Sequence, residues 1–366
     1  MSERRNKRRP TRSADASRPV AASGAPTPSA LLRHQSIRLI IALIVGIVIG
    51  GVAFRRTSVA AGSARAPLRQ SELNGNHKYH FIDPLLVGRS PVDGNSREYE
   101  MLEREVAQYI AAERAQGSLK VASVYFRDLK NTLKFSIKHD EKFNPASLVK
   151  VPTMMAYLKA SEAVPSILED RLTYKGASNA NVREHYRSST EIAAGADYSS
   201  RDLIGRMIRN SDNNAFNLVF EHLVATKNYE SFNGMLEDLG IPRLDGNQAL
   251  GDLITAREFS MFFRVLYNST YLSRQHSEAA LDTLSGTDFS AGLVAGIPPG
   301  VVVSHKFGEF GLVDDAGVKR ELHDCGIIYS PRLPYVLCVM TKGLEFPRLA
   351  RVIAGISQRV YEYVQR

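Results

Sequence analysis

The order of the predicted secondary structure constrains the fold of this 366-residue chain more than any other feature. Alternating apolar and polar residues predict a hairpin over 121–129 and 132–138, and strand patterns return after residue 300. Between about 155 and 285 the apolar residues follow a helical period instead. Strands at both ends around a helical middle suggest that these strands form one sheet. We therefore expect an α+β fold with an antiparallel sheet, terminal helices on one face, and an all-helical insertion.

The individual elements are predicted from the spacing of apolar residues and from turn residues. The predicted helices of the insertion include 200–210, 214–225, 229–239 and 255–267. Thr255 and Glu258 are spaced as a capping box at the start of the last of these. The predicted strands that follow are 301–306, 320–329 and 335–341, and an amphipathic helix from about 349 to 363 closes the chain.

The positive charge of the chain is concentrated at its beginning. Residues 1–38 hold nine Lys and Arg residues against two acidic ones, which accounts for most of the formal net charge of +9. Their Arg-, Ser-, Ala- and Pro-rich composition predicts a disordered tail. The remainder is close to neutral, which disfavours a nucleic-acid partner for the folded part.

An apolar segment without charge occupies residues 39–54, between Arg38 and the Arg55-Arg56 pair. Its length suits either a short membrane-spanning helix extended by the flanking arginines or the apolar part of a cleaved signal peptide. The long polar stretch before it and the arginines after it favour an uncleaved transmembrane signal anchor. We then expect residues 1–38 in the cytoplasm and the rest of the chain in an extracytoplasmic location at the cell membrane.

Residues 55–97 form the predicted linker between this anchor and a folded domain at 98–366. The first part of the linker consists mainly of small and polar residues. The segment 79–87, Y-H-F-I-D-P-L-L-V, is too apolar for a solvated linker. We expect this segment to dock onto the folded domain.

Three short motifs occur in a fixed order on separate segments: S-L-V-K at 147–150, S-D-N at 211–213 and K-F-G at 306–308. This arrangement resembles the active site of class A β-lactamases and penicillin-binding proteins, whose signature is S-x-x-K, S-D-N and K-T-G. The resemblance extends over roughly 98–364. It implies a β-lactamase-like fold and a serine hydrolase that forms an acyl-enzyme.

Ser147 and Lys150 are the predicted nucleophile and base. A serine hydroxyl needs a base within hydrogen-bonding reach, and residues at i and i+3 of a helix face the same way. Lys150 can accept the proton if burial and a second cation lower its pKa, and Lys306 is the expected cation. The position of Ser147 at a helix start also directs its own amide towards an oxyanion.

The S-D-N motif is expected at a turn between two helices. By the resemblance, Ser211 relays a proton to the leaving nitrogen and Asn213 binds the amide carbonyl of the substrate. We expect Asp212 to turn inward and stabilise the turn through hydrogen bonds to the backbone.

The third motif contributes the opposite wall of the predicted site. The resemblance implies that Lys306 binds a substrate carboxylate, that Gly308 permits close approach of the backbone, and that the Glu309 amide is the second oxyanion donor. Phe307 departs from the family pattern, because Thr or Ser usually stands there and directs its hydroxyl at the substrate carboxylate. Carboxylate affinity should therefore be altered.

A second departure concerns release of the acyl group. Class A β-lactamases carry an E-x-x-L-N motif after the S-D-N helices, and its glutamate activates the hydrolytic water. The stretch 239–255 has no such motif, and its carboxylates, Asp245 and Asp252, do not match the position of that glutamate. The sequence thus predicts ready acylation of Ser147 by β-lactams or related cell-wall amides, followed by slow deacylation.

Other functions fit the same motifs. The chain could be a D,D-peptidase that acts on peptidoglycan stem peptides, or a hydrolase of another ester or amide. Alternatively, a non-catalytic receptor would bind a β-lactam or wall fragment and signal through the anchor. We expect no cofactor, since no histidine pairing or cysteine cluster indicates a metal site and no Gly-rich phosphate loop is present.

Cys325 and Cys338 are the two cysteines of the chain and lie on consecutive predicted strands. A pairing centred between residues 331 and 332 would place them opposite each other and permit a disulfide outside the cytoplasm. A half-residue shift would leave two buried free thiols. The sequence is compatible with both states.

Overall fold

The computed structural model describes residues 79–84, 99–117, 119–130, 133–188, 190–241, 251, 253–314 and 317–366. The predicted tail at 1–38, the predicted anchor at 39–54 and most of the linker lie outside these residues. No helix within the described ranges is long and apolar enough to cross a bilayer.

A five-stranded antiparallel sheet forms the centre of the domain, with the strand order β2-β1-β7-β6-β5. Its strands are β1 (Leu119–Asp128), β2 (Lys134–Ile137), β5 (Val303–Asp314), β6 (Gly317–Ile328) and β7 (Tyr335–Gly343). Two short strands, β3 (Arg171–Thr173) and β4 (Asp197–Ser199), form a separate ribbon. The first hairpin and the last three strands pair through β1 and β7, as the order of the predicted elements suggested.

The helices pack on opposite faces of the sheet. They are α1 (Glu100–Ala115), α2 (Lys150–Ala163), α3 (Ser200–Arg209), α4 (Asn213–Ala225), α5 (Tyr229–Asp238), α6 (Ala256–Tyr267), α7 (Arg274–Ser285) and α8 (Phe346–Gln365). The terminal helices α1 and α8 share one apolar core with one sheet face, and α2 to α7 form a second core against the other. The predicted α+β architecture is therefore confirmed.

The β3–β4 ribbon was not predicted, and two other elements differ from the prediction. Strand β5 continues to Asp314 although the predicted strand ends at residue 306, because it forms a long hairpin with β6 that overrides the weak strand propensity of its glycines and Glu309. The helix α7 was not predicted as a separate element. The Thr255–Glu258 capping box is confirmed by both of its hydrogen bonds.

Residues 79–84 of the predicted docking segment lie against the helical core. The carboxylate of Glu278 on α7 accepts hydrogen bonds from the backbone N–H groups of His80, Phe81 and Ile82. Ile82 is buried, and the ring of Phe81 meets that of Tyr329 edge-on at 5.4 Å.

Cys325 and Cys338 form a disulfide bond. They are direct partners in the antiparallel register of β6 and β7, so the pairing centred between residues 331 and 332 is the one adopted. On its other side Cys325 is paired with Lys306 of β5. The disulfide therefore lies beside the strand that carries the third motif.

Candidate active site

Ser147 lies in a short 3-10 turn, Ala146–Val149, that leads directly into α2. Ala146 adopts a left-handed conformation with φ of 47°, which is uncommon for a residue with a side chain. The side chain of Asn144 stabilises the turn by accepting a hydrogen bond of 2.9 Å from the Ala146 amide. The Asn144 amide in turn donates to the buried carboxylate of Glu321 on β6 at 2.9 Å. Buried contacts to the sheet thus determine the position of the serine.

Lys150 occupies the centre of the site, one helical turn after Ser147. Its Nζ atom lies 2.9 Å from Ser147 Oγ, 2.7 Å from the Ser211 carbonyl, 3.1 Å from Ser211 Oγ and 2.6 Å from Asn213 Oδ1. The lysine is 1% exposed, so these contacts replace water almost completely. One amine therefore links the first two motifs.

The environment of Lys150 favours its neutral form. Burial lowers the pKa of its amine to about 7, against the opposing attraction of Glu184, Asp212 and Glu309. A lysine that is partly neutral at neutral pH can accept a proton from the serine hydroxyl. This is the property that a base for Ser147 requires.

Ser211 connects Lys150 to Lys306. Its φ of 51° is again left-handed, and this strained conformation is one that functional sites often retain. The Lys306 amine donates to Ser211 Oγ at 2.9 Å and to the Phe307 carbonyl at 3.0 Å. Both side chains are buried. The hydroxyl of Ser211 therefore lies between two amines and can pass a proton between them or to a leaving group.

The electrostatic relation of the two lysines differs from the predicted one. The sequence predicted that burial and the Lys306 cation both lower the pKa of Lys150; burial is the main cause, whereas Lys306 is not among the groups that shift it. The pKa of Lys306 is lowered well below its usual value, first by burial and then by repulsion from Lys150, while Asp324, Asp288 and Glu184 oppose the shift. Both amines are thus driven towards the neutral state.

Asp212 turns inward and organises the S-D-N turn, as predicted. Its Oδ1 atom caps α4 by accepting from the amides of Asn214 and Ala215 at 2.8 and 3.1 Å. Its Oδ2 atom accepts from the Ile192 amide at 2.9 Å, and Asn181 donates to Oδ1 at 3.0 Å. The same carboxylate therefore attaches the loop that contains residues 181–192 to the site.

This loop brings Glu184 into the site, a residue that the sequence analysis missed. Glu184 Oε1 accepts a hydrogen bond of 2.7 Å from Asn213 Nδ2, the amide expected to bind the substrate carbonyl. Because Asn213 also contacts Lys150, and Lys150 contacts Ser147, three hydrogen bonds connect this carboxylate to Ser147. A single glutamate in a loop without periodicity belongs to no recognisable motif, so no sequence signal could have identified it.

The side chain of Glu309 meets the same loop from the opposite wall. It accepts hydrogen bonds from the amides of His185 and Tyr186 and is hydrogen-bonded to Glu184. Burial and the adjacent Glu184 raise the pKa of Glu309 to about 8. The hydrogen bond between Glu309 and Glu184 joins the loop to β5 across the site. The predicted role of the Glu309 amide as an oxyanion donor remains a prediction.

Gly308 lies against the turn that carries the nucleophile. A Cβ atom at this position would come within 3.1 Å of Leu148 Cγ and 3.2 Å of both the Leu148 amide nitrogen and the Pro145 carbonyl oxygen. Only a glycine lets β5 approach the Ser147 turn this closely without a shift of its neighbours. The spacing between the two walls of the site thus depends on the absence of a side chain here.

Phe307 stacks on Phe289 with ring centroids 4.2 Å apart, and Tyr186 meets both rings edge-on at 6.4 and 4.9 Å. These rings line a cavity of about 380 Å³ together with Arg187, Ser188, Asp288, Ser290 and Ala291. Phe307 is only 2% exposed, so the residue that replaces the usual Thr or Ser is packed into an aromatic wall.

The structure therefore joins Ser147, Lys150, Ser211, Asn213 and Lys306 by direct contacts. Asp245 and Asp252 lie outside the described residues. Within the described ranges, no group of three or more His, Cys, Asp or Glu side chains could hold a metal ion.

Comparison with known proteins gives a consistent result. The sequence profile of the beta-lactamase enzyme family matches residues 101–364. A beta-lactamase from Citrobacter koseri is 26% identical over 228 residues, which cover 58% of this chain and 75% of that protein.

Solved structures share the fold. PBP-A superposes with a TM-score of 0.58 at 22% identity, over 78% of this chain and 98% of its own, and a variant of it was solved as an acyl-enzyme complex with penicillin G. A beta-lactamase from Sphaerobacter thermophilus has a TM-score of 0.58 at 22% identity, over 71% of this chain and 97% of its own.

Proposed function

This chain belongs to the beta-lactamase enzyme family, and on that premise we propose that it is a serine hydrolase that is acylated at Ser147 by β-lactams or related cell-wall amides. The contact of 2.9 Å between the buried Lys150 amine and Ser147 Oγ is the observation that carries this proposal. It supplies a nucleophile with a base whose pKa lies near 7.

In the acylation step, the Ser147 oxygen attacks the substrate carbonyl carbon and its proton passes to the neutral Lys150 amine. The new Oγ–C bond forms, and the tetrahedral oxyanion accepts hydrogen bonds from the Ser147 and Glu309 amides. The C–N bond then breaks, and Ser211 delivers a proton to the leaving nitrogen and recovers one from Lys150. The short contacts of Ser211 Oγ with both lysines support this relay.

Asn213 orients the substrate by binding its amide carbonyl through Nδ2. In the absence of substrate this group donates to Glu184. Substrate binding therefore exchanges one hydrogen bond of Asn213 for another, while the contact of its Oδ1 atom with Lys150 is retained.

Release of the acyl group is slow in this proposal. Hydrolysis requires a water molecule, a base that takes its proton, and cleavage of the Oγ–C bond. The sequence lacks the E-x-x-L-N glutamate that serves as this base in class A β-lactamases. The acyl-enzyme should therefore accumulate.

The absence of the E-x-x-L-N motif also favours a second function, the cleavage of peptidoglycan stem peptides by a D,D-peptidase. The similarity to the fold of PBP-A is compatible with it. The same serine, lysine and proton relay would cleave a peptide bond, and the acyl group would pass to water or to an amine.

We also propose that the enzyme is anchored in the cell membrane by residues 39–54 and works outside the cytoplasm. The uncharged segment with its flanking arginines supports this topology. The Cys325–Cys338 disulfide is compatible with it, because disulfides persist mainly in oxidising compartments.

Turnover of the purified full-length chain distinguishes these functions. We expect penicillin G to be consumed in a burst of about one equivalent, followed by slow loss, with no burst in Ser147→Ala. Sustained rapid loss would contradict slow deacylation. Faster release of D-alanine from a D-Ala-D-Ala peptide than loss of the penicillin would favour the peptidase, and no loss of either substrate would contradict both functions.

A further inference from the structure

The wall of the site at Phe307 lacks the features that would receive a negatively charged group. In the family pattern this position carries a hydroxyl beside the substrate carboxylate. Here its side chain is 2% exposed and stacked on Phe289 at 4.2 Å. The rings of Phe307, Phe289 and Tyr186, which we call the aromatic wall, line the adjacent cavity; Phe307 and Phe289 are buried, and Tyr186 is the more exposed of the three.

Two of the side-chain donors that line this cavity are bonded to acidic side chains. Ser188 Oγ donates to Asp288 at 2.7 Å, and Arg187 forms an ion pair with Glu191. The Lys306 amine is fully buried and donates to Ser211 and to the Phe307 carbonyl. A carboxylate that bound Ser188, Arg187 or Lys306 would have to displace one of these contacts.

The charges at the rim oppose an anion as well. Asp288 lines the cavity beside the aromatic wall, and Glu309, which accepts a hydrogen bond from the Tyr186 amide, is bonded to Glu184; we call these three side chains the acidic rim. A negative charge placed among these groups is repelled, and like-charge contacts of this kind are a common means of excluding wrong ligands.

We propose that the aromatic wall and the acidic rim select acyl donors that carry no carboxylate next to the scissile bond and place a neutral apolar group against Tyr186, Phe289 and Phe307. This inference rests on the proposed acylation of Ser147 and specifies its substrate class. The chemical step is unchanged, since the Oγ–C bond forms, the C–N or C–O bond of the donor breaks, and the serine proton reaches the leaving group.

Penicillin G and its methyl ester form a matched pair of probes, because they differ only at that carboxyl, which is a charged carboxylate in the acid and a neutral methyl ester in the other. Intact-mass spectrometry of the full-length chain gives the rate at which each acylates the protein. We expect the methyl ester to react at least about tenfold faster, the ratio that corresponds to about 1.4 kcal/mol of repulsion. A free acid that reacts as fast as the ester, or faster, would overturn the inference.

Two substitutions assign the preference to the aromatic wall. Phe307→Thr should shift the ratio of the two rates towards the free acid. Phe307→Leu, the matched control, keeps an apolar side chain and should retain the preference for the ester. An unchanged ratio in a folded Phe307→Thr variant would contradict the role of the wall, and the wild-type comparison decides the inference even if that variant fails to fold.

A third probe, p-nitrophenyl phenylacetate, distinguishes the proposed reactivity of Ser147 towards β-lactams from the proposed preference for acyl donors without a carboxylate. It carries no carboxylate and reports directly on the reactivity of Ser147. Acylation by this ester but by neither penicillin would support the substrate class while contradicting β-lactams as substrates. Failure of all three probes to modify Ser147 would overturn both the proposed function and the inference.

Discussion

Lys150 Nζ lies 2.9 Å from Ser147 Oγ and 2.6 Å from Asn213 Oδ1, in a position that water hardly reaches. A charged amine in this environment has lost its hydration, and burial is the main reason why its pKa falls to about 7. The contact of Lys150 with Ser147 therefore allows the lysine to act as a base only because the lysine is buried.

Acylation should depend on pH through Lys150. The amine can accept the serine proton only when it is neutral, so the rate should rise with pH up to about 7 and level off above it. Below that value we expect a fall of about tenfold per pH unit. Intact-mass measurements of the acylation rate between pH 5 and 9 would show this, and a flat profile would exclude Lys150 as the base.

Glu184 and Glu309 should influence the pH at which the acylation rate levels off. Glu184 and Glu309 both raise the pKa of Lys150. A single substitution leaves one of the two acidic side chains in place beside Lys150. Replacement of both by Gln removes the charge and should move the pH profile of acylation to lower pH.

Glu191→Gln is the control for this double variant. Glu191 lies in the same loop and pairs with Arg187, and it is not among the charges that shift the pKa of Lys150. The midpoint of the pH profile of acylation should be the same in this control variant as in the wild type. A midpoint that moves to higher pH in the double variant would contradict the electrostatic argument.

The contact between the side chains of Glu184 and Glu309 could not be predicted from the sequence. The residues of the three motifs could be predicted, because their spacing and order reflect chemistry that needs all of them. Glu184 lies in a loop whose position depends on hydrogen bonds to Asp212 and Asn213, so its place in the site follows only from tertiary contacts. The order of the strands could be predicted, whereas the pairing of Cys325 with Cys338 depended on a register that no local pattern determines.

The environment of Phe307 could not be predicted either. The sequence showed that a hydroxyl is missing there. The partner that covers the ring, Phe289, comes from a segment between α7 and β5 for which no element was predicted. Such stacking across distant segments has no signature in a single sequence.

Gly308→Ala should reduce acylation with little loss of stability. The added methyl group would press on Leu148 and Pro145 at 3.1–3.2 Å and displace the Ser147 turn by a few tenths of an ångström. We expect a decrease of about 10- to 100-fold in the acylation rate, the size of effect that small misplacements produce.

Gly311→Ala on the same strand is the matched control. Its Cβ atom would meet the Phe346 ring at 3.5 Å, an ordinary van der Waals distance. The acylation rate of this variant should stay close to that of the wild type. Equal rates for Gly308→Ala and the wild type would show that the close approach of β5 does not position the nucleophile.

Loss of the disulfide should destabilise the domain. Cys325 and Cys338 are 13 residues apart in sequence. In the chain-entropy account, removing a cross-link that closes a loop of this size lowers the free energy of unfolding by about 3 kcal/mol. Urea unfolding of the double variant with alanine at both positions should show this decrease in the free energy of unfolding. Unchanged stability in the variant would mean that the bond contributes nothing to the folded state.

The identity of the acylated residue tests the central claim most directly. The full-length chain is treated with a reactive β-lactam or with p-nitrophenyl phenylacetate, digested, and analysed by tandem mass spectrometry beside Ser147→Ala. We predict one acyl group per chain, located on Ser147 and absent from the variant. An adduct on another residue, or one that persists in Ser147→Ala, would contradict Ser147 as the nucleophile.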